Sequence, residues 1–420
     1  MKIEKFILFF AMVLLLFISG MGQSYRTFRE ELEQITERTR WHVGPFRIFP
    51  RLELKDIGYD DNVYYQREEE EPVSDFTTTI SPEVKVNLLY RNFLILSLTE
   101  NPEYIFYLEQ KRESRWNNTF SPEFRLLFLS RFVISGNYSY LNRRYRASSE
   151  FDVRANELRK SLEGRLFYET ARRTSFGVSA STVRVSYEDI TLPGEEIYLS
   201  RLLNREENSG YFEFYYRIYS EAFIFMKLGY TEYNFEHPDS RWRNSDSYQI
   251  YSGIRFPLLG KVRGTFSLGY KNHEPRSEEK KSFSGLIGDT SLDFRVGRFG
   301  FRLKYQRDNH FSYWTESIFF IEDRYGSGIS FYLFKFLRLD FDYTYAKSSY
   351  PEITTVDYPD GSVEEIKRRD DYKIYAIGFV VRLIENVGLG LKVNFWERDS
   401  NFYLADRDRI FIGGYLTYDF

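Results

Sequence analysis

The 420-residue sequence has no cysteine and only four histidines. The lack of cysteine rules out disulfide staples, thiolate metal ligands and a lipid-bearing lipoprotein terminus. His42, His237, His273 and His310 include no closely spaced pair, so no metal and no cofactor is expected. Long apolar runs are missing too. The run from Phe6 to Ile18 covers about 13 residues, fewer than the roughly 20 that a membrane-crossing helix needs. It follows Lys2 and Lys5 and precedes Ser19-Gly20-Met21-Gly22, the order of a secretory signal peptide, so residues 1–22 are read as one. An uncleaved anchor helix is the second reading.

Aromatic residues are abundant. They make up 19% of the chain, with 35 Tyr and 40 Phe, at a mean hydropathy of -0.47. A water-soluble domain would hide so many rings, whereas a lipid-facing barrel displays them on alternate positions and at both interfaces. The alternation is present. Phe120, Pro122, Phe124, Leu126 and Phe128 interleave with Ser121, Glu123, Arg125 and Leu127, and Leu337, Leu339, Phe341, Tyr343 and Tyr345 with Arg338, Asp340, Asp342 and Thr344.

Short turns are expected near Arg91, Arg131, Arg172, Glu221, Leu259, Arg298, Lys335 and Glu385. Their interval is about 40 residues, with a longer polar loop between each pair. Eight such turns join nine hairpins, so the predicted fold is all-β, a transmembrane antiparallel barrel of about 18 strands over residues 46–420, with short periplasmic turns and longer extracellular loops. Residues 23–45 form a short periplasmic segment in which Phe28, Leu32 and Ile35 line one side of a brief helix. Tyr138, Tyr140, Tyr230, Tyr270, Tyr305, Tyr343 and Tyr345 mark the outer strand ends, and Phe128, Phe256, Phe299, Phe334 and Phe420 the inner ones, as interfacial girdles. Thr79 to Val86 echoes Thr119 to Leu126, and Pro50, Pro82 and Pro122 within strands demand local irregularity.

The last strand, Ile410 to Phe420, carries Leu416, Tyr418 and Phe420 on one face and ends the chain, so its edge must close onto the first strand near Phe46. That ending resembles the assembly signal of outer-membrane barrels, which implies the barrel-assembly machinery as a partner. The opening, Val43 to Leu54 followed by Ile57-Gly58-Tyr59-Asp60-Asp61-Asn62-Val63-Tyr64, resembles the putative beta-barrel porin 2 family. The resemblance implies a Gram-negative outer-membrane protein and, from the family's association with exopolysaccharide export systems, periplasmic export components as partners. Both termini would be periplasmic, and the surroundings outer-membrane lipid and lipopolysaccharide. Asp60, Asp61 and Asn62 do not complete a calcium loop and are read as a solvated turn.

If the apolar parity faces lipid, the pore is lined by Arg51, Glu53, Lys55, Glu83, Lys85, Glu123, Arg125, Glu163, Arg165, Arg217, Arg255, Arg263, Arg295, Arg302, Lys304, Arg338, Asp340 and Asp342. A basic lumen would favour anions, while Glu123 with Arg125 and Asp340 with Arg338 would simply satisfy one another. Tyr215, Tyr251 and Tyr375 are candidates to project inward and stack on sugar faces. The stretches 186–205 and 348–369 are long enough to act as plugs, the second as a hairpin above the membrane. His310 lies near Asp308, Asn309 and Ser312, but no nucleophile motif accompanies it, so no enzyme is expected. Nucleic-acid binding lacks a basic patch outside the barrel. The primary reading is a passive conduit for a secreted or capsular polysaccharide; the alternatives are a general diffusion porin for small solutes, anions among them, a surface hydrolase and a structural barrel.

Overall fold

A computed structural model describes residues 27–39, 41–146, 150, 154–170, 173–192, 195–219, 222–258, 262–314, 316–357, 361–384, 386–402 and 405–420. The signal-peptide reading of 1–22 lies outside them, as do Arg172, Glu221, Leu259, Glu385, Pro193, Gly194 and Tyr358 to Asp360. Eighteen antiparallel strands close into a barrel. In chain order they are β1 Phe46–Asp60, β2 Asp75–Tyr90, β3 Leu94–Tyr107, β4 Arg115–Phe128, β5 Phe132–Arg146, β6 Arg154–Glu169, β7 Thr174–Tyr187, β8 Arg205–Tyr219 and β9 Ala222–Phe235. There follow β10 Ser245–Leu258, β11 Val262–Pro275, β12 Phe283–Val296, β13 Phe299–Phe311, β14 Phe319–Tyr332, β15 Leu337–Ser349, β16 Arg369–Ile384, β17 Val387–Ser400 and β18 Arg407–Asp419. Each strand pairs with its neighbours, and β18 pairs back onto β1, with Arg51 opposite Asp419 and Asp60 opposite Phe411. Among the described residues the 18-strand sheet has no open edge, which is how a barrel satisfies its backbone in lipid.

Alternation fixes which face is which. Leu96, Leu98, Phe124, Leu166, Phe212, Leu228, Ile250, Leu303, Phe341 and Ile412 are exposed large apolar residues on the outward parity. The Tyr residues expected at the loop ends share that parity, and Phe128, Phe299, Phe334 and Phe420 are exposed near the short turns. The side chain of Phe256 lies outside the described set. Among the described residues no helix is long and apolar enough to cross a membrane.

The two echoing segments build the same irregularity. Pro82 pairs with Leu52 on the β1 side, yet the β2 and β3 ladder skips from Ile80 to Val84. Pro122 pairs with Leu98, and the β4 and β5 ladder skips from Phe120 to Glu123. Proline has no N–H to donate, so the ladder opens on its donor side. A side-chain amide fills each gap: Asn101 donates to Ser81 Oγ at 3.2 Å, and Asn137 to Ser121 Oγ at 3.5 Å. At the closing seam β1 is bulged around Asp56, and a Cβ on Gly58 would stand 2.0 Å from the Ile412 carbonyl oxygen. Glycine is required there by backbone approach.

Candidate permeation pathway

The short-turn end holds a helix. Phe28–Arg38, α1, begins with a capping box in which Glu30 N–H donates to Thr27 Oγ1 at 3.3 Å and Thr27 N–H to Glu30 Oε2 at 2.9 Å. Phe28 is fully buried among Ile95, Val133, Phe167 and Tyr215, with Leu32, Ile35, Leu89, Leu127 and Phe225 around them. These wall residues lie within a few positions of the short turns and point inward, where a water-filled barrel would carry polar groups. Phe28 N–H donates to Glu169 at 3.3 Å, Glu30 meets Arg217 at 2.7 Å, and Glu31 pairs with Arg125. The helix therefore occupies the β3 to β9 side of that mouth.

The opposite side is basic, and no helix covers it among the described residues. A cavity of about 380 Å³ is lined by Arg263, Arg295, Arg302, Arg338, Asp293 and Tyr332 among others.

At the other end the connections meet over the lumen. A short hairpin, Ile190–Leu192 with Glu195–Ile197, leads into α2, Leu199–Leu203, whose Leu199 and Leu203 pack on Ala155, Val185 and Tyr187 with Tyr313 against them. Ser240, between β9 and β10, donates to the Arg201 carbonyl at 2.6 Å. Arg243, fully buried, donates to the carbonyl of Trp314 at 2.9 Å. Glu150, from the connection between β5 and β6, accepts from Ser312 Oγ at 2.6 Å and from Tyr313 N–H at 2.9 Å. Burial pushes the Glu150 carboxyl above the usual carboxylate range, against the pull of Arg368 and of those hydrogen bonds. The strands Thr354–Asp357 and Val363–Ile366 form the expected hairpin, and Val356 packs with Phe402 and Ala405 against Trp314.

Two cavities lie beneath. One, of about 330 Å³, runs along β1, β2, β17 and β18 and is lined by Asp60, Tyr65, Thr79, Trp396 and Arg409, with Tyr145 and Arg154 facing them. The other, of about 250 Å³, lies toward β13 and β14, with Arg159, Arg205, His310, Phe311 and Arg324 around it and Tyr145 shared. The acidic turn is corrected here: Asp60 and Asn62 are buried, not solvated. Asp60 accepts from Arg409 at 2.6 Å and meets Arg154 at 3.4 Å, and Asn62 Nδ2 donates to the Asp408 carbonyl at 3.0 Å. Asp60→Asn would leave two guanidiniums without their carboxylate, so we expect a loss of roughly 3 kcal/mol in barrel stability. A lower midpoint for heat-modified migration on gels is the readout, and an unchanged midpoint would sink the prediction.

The charged residues assigned to the interior from sequence lie on the parity opposite the exposed apolar one. Most are paired. Arg51 meets Glu53 at 3.8 Å and Asp419 at 3.6 Å, Lys55 meets Glu103, Arg165 meets Glu163 at 2.7 Å, Arg302 meets Asp342 at 3.0 Å, and Arg338 meets Asp340 at 2.8 Å. Glu123 is not partnered by Arg125, which is taken by Glu31. Glu83, Lys85 and Arg255 lie on the same inward parity. Arg263, Lys304 and Lys392 have no carboxylate within ion-pair distance among the described residues, while Asp293, Asp308, Asp340 and Asp342 each meet a cation. Tyr215 and Tyr251 face inward. Tyr375 does not: it is exposed on the outward parity beside Tyr343, with ring centres 5.0 Å apart. Ser312 is held by Glu150 and His310 lies against Phe320, so these residues do not assemble a Ser–His pair.

The sequence profile of the family described as "Putative beta-barrel porin 2" matches residues 40–414. No curated protein matches the chain. Similar solved structures include OccK3 (OpdO) of Pseudomonas aeruginosa, at 13% identity over 94% of this chain and 99% of that one, with a TM-score of 0.48. OccAB2 of Acinetobacter baumannii is 12% identical over 89% and 98% of the two chains, with a TM-score of 0.49. The outer membrane protein OpdK of Pseudomonas aeruginosa is 11% identical over 89% and 98%, also with a TM-score of 0.49.

Proposed function

Because the chain belongs to the putative beta-barrel porin 2 family and is an outer-membrane β-barrel porin, we propose that it is a passive channel for small anionic solutes, with its short turns on the periplasmic side. The observation that carries this is the unequal pairing of interior charge. On the β11 to β17 wall the carboxylates Asp293, Asp308, Asp340 and Asp342 are engaged by cations, while Arg263, Lys304 and Lys392 are left over. Fixed positive charge in a confined, partly low-dielectric passage concentrates anions and excludes cations. A secreted or capsular polysaccharide in transit would have to displace both α1 and the joined loops, which favours small solutes over a polymer conduit and over export components as partners. Surrounding lipid and lipopolysaccharide, and assembly through Leu416, Tyr418 and Phe420, complete the reading. Phe420 N–H closes the seam on the Pro50 carbonyl at 3.2 Å.

In a planar bilayer under a potassium chloride gradient, the reversal potential is expected to show chloride preference. Lys304→Glu combined with Lys392→Glu is expected to abolish or invert it. Cation preference in the unaltered protein, or no conductance at all, would overturn the proposal.

A further inference from the structure

We propose that Arg263 and Arg295 form an oxyanion-binding site at the short-turn mouth, taking the carboxylate or phosphate group of a small solute. The inference rests on the channel reading above and names the chemistry of one place along it. The four arginines of the 380 Å³ cavity are not equivalent. Arg302 and Arg338 are neutralised by Asp342 and Asp340. The Arg263 side chain makes no hydrogen bond or ion pair among the described residues. Arg295 donates to the Gly297 carbonyl at 3.3 Å, and its guanidinium lies 4.0 Å from the centre of the Tyr332 ring.

Tyr332 thus orients Arg295 without cancelling its charge. Arg263 stands directly across the ladder from Asp293, which makes Arg295 its diagonal neighbour on the same face, about 7–8 Å away along the sheet. Asp293 approaches Arg302 at 3.8 Å. Two guanidiniums with no ion pair of their own are therefore held on adjacent strands, beside an Asp293 whose carboxylate is drawn to Arg302, and a solute anion between them would relieve their like-charge repulsion. Each guanidinium offers a planar fork of donors matched to two oxygens of one anion. On the same wall Asp342 and Asp340 pair with Arg302 and Arg338, whereas Asp293, the aspartate beside Arg263 and Arg295, makes its ion pair with Arg302.

The test is chloride current through the purified full-length protein in a planar bilayer, with inorganic phosphate or acetate added to one side at a time. Phosphate on the short-turn side is expected to reduce the current in a saturable manner. Arg263→Gln and Arg295→Gln should each weaken that block about tenfold, and Arg263→Lys should restore charge without restoring the block, because it lacks the fork. Acetate acting as phosphate does assigns the site to carboxylates as well; block by phosphate alone assigns it to phosphoryl groups. Both outcomes support the site. Undiminished block in the Arg263→Gln, Arg295→Gln double variant, or no block by either anion in a channel that still prefers chloride, overturns the site alone. Loss of chloride preference in the unaltered protein overturns the channel reading instead. Heat-modified migration on gels checks that each variant is folded.

Discussion

Deleting residues 27–39 is expected to raise the single-channel conductance roughly twofold, because it empties one side of a mouth whose area sets the resistance of the narrow segment. The magnitudes say which contact holds α1 in place. An isolated helix of this length is marginal in water, so its order comes from docking. Phe28 is the anchor: it is completely buried in the inward apolar patch, and truncating a buried phenylalanine costs about 3–5 kcal/mol. The ion pairs of Glu30 with Arg217 and Glu31 with Arg125 are partly solvated, and pairs of that kind contribute about 0–1 kcal/mol each. Phe28→Ala should therefore release the helix and reproduce most of the conductance gain, whereas Glu30→Gln or Glu31→Gln should change it little. Proteolysis at the helix in folded protein gives a second readout, rising in Phe28→Ala. Equal conductance in the deletion and the full chain would show that α1 does not obstruct the path.

The second large effect concerns the loop end and pH. The Glu150 carboxyl is held above its ordinary range, first by burial and against Arg368, Ser312 and Tyr313. A docked carboxyl whose pKa is raised binds its proton more tightly than the undocked one. Docking is therefore most favourable below the ordinary carboxylate pKa and loses that advantage as pH rises through the shifted value. The joined loops are thus expected to separate more often as pH rises above the ordinary carboxylate range, giving larger and noisier currents at the higher pH. Glu150→Gln, which keeps acceptor capacity without titrating, should flatten this dependence near the low-pH level. Tyr350, Arg243, Arg368 and Asp370 stand around the same junction, so a pH response that persists in Glu150→Gln would assign the titration elsewhere and defeat the prediction.

Much of the barrel was legible because a lipid-facing wall writes its parity into the sequence. The strand from Leu337 to Ser349 alternates so regularly that its faces could be assigned without coordinates, and the same rhythm located the closing partner of Ile410 to Phe420. The helix face of Phe28, Leu32 and Ile35 was legible, but its destination was not. The signal existed, since Leu94-Ile95-Leu96, Leu126-Leu127-Phe128 and Phe132-Val133-Ile134 are unbroken apolar triplets rather than alternating pairs. A strand apolar on both faces is covered on both faces, so these triplets pointed to something inside the barrel. Tyr375 was misplaced because Ile374 and Tyr375 offer apolar character to either parity, and only the pairing with Tyr343 decides between them. The burial of Asp60 depended on Arg154 and Arg409, which are far away in sequence, and spacing alone carries no trace of such encounters.

The one-sided seat of α1 makes the lumen eccentric, and the two halves of one cylinder should answer mutation in different units. On the β3 to β9 side, substitutions such as Val133→Asp or Phe167→Ser act first on whether the protein holds together. On the β11 to β17 side, substitutions at Arg263, Lys304 or Lys392 leave the wall intact and change what flows past it. A scan of inward positions that records both melting and current would then divide the circumference into a keel that carries no traffic and a rail that carries it all.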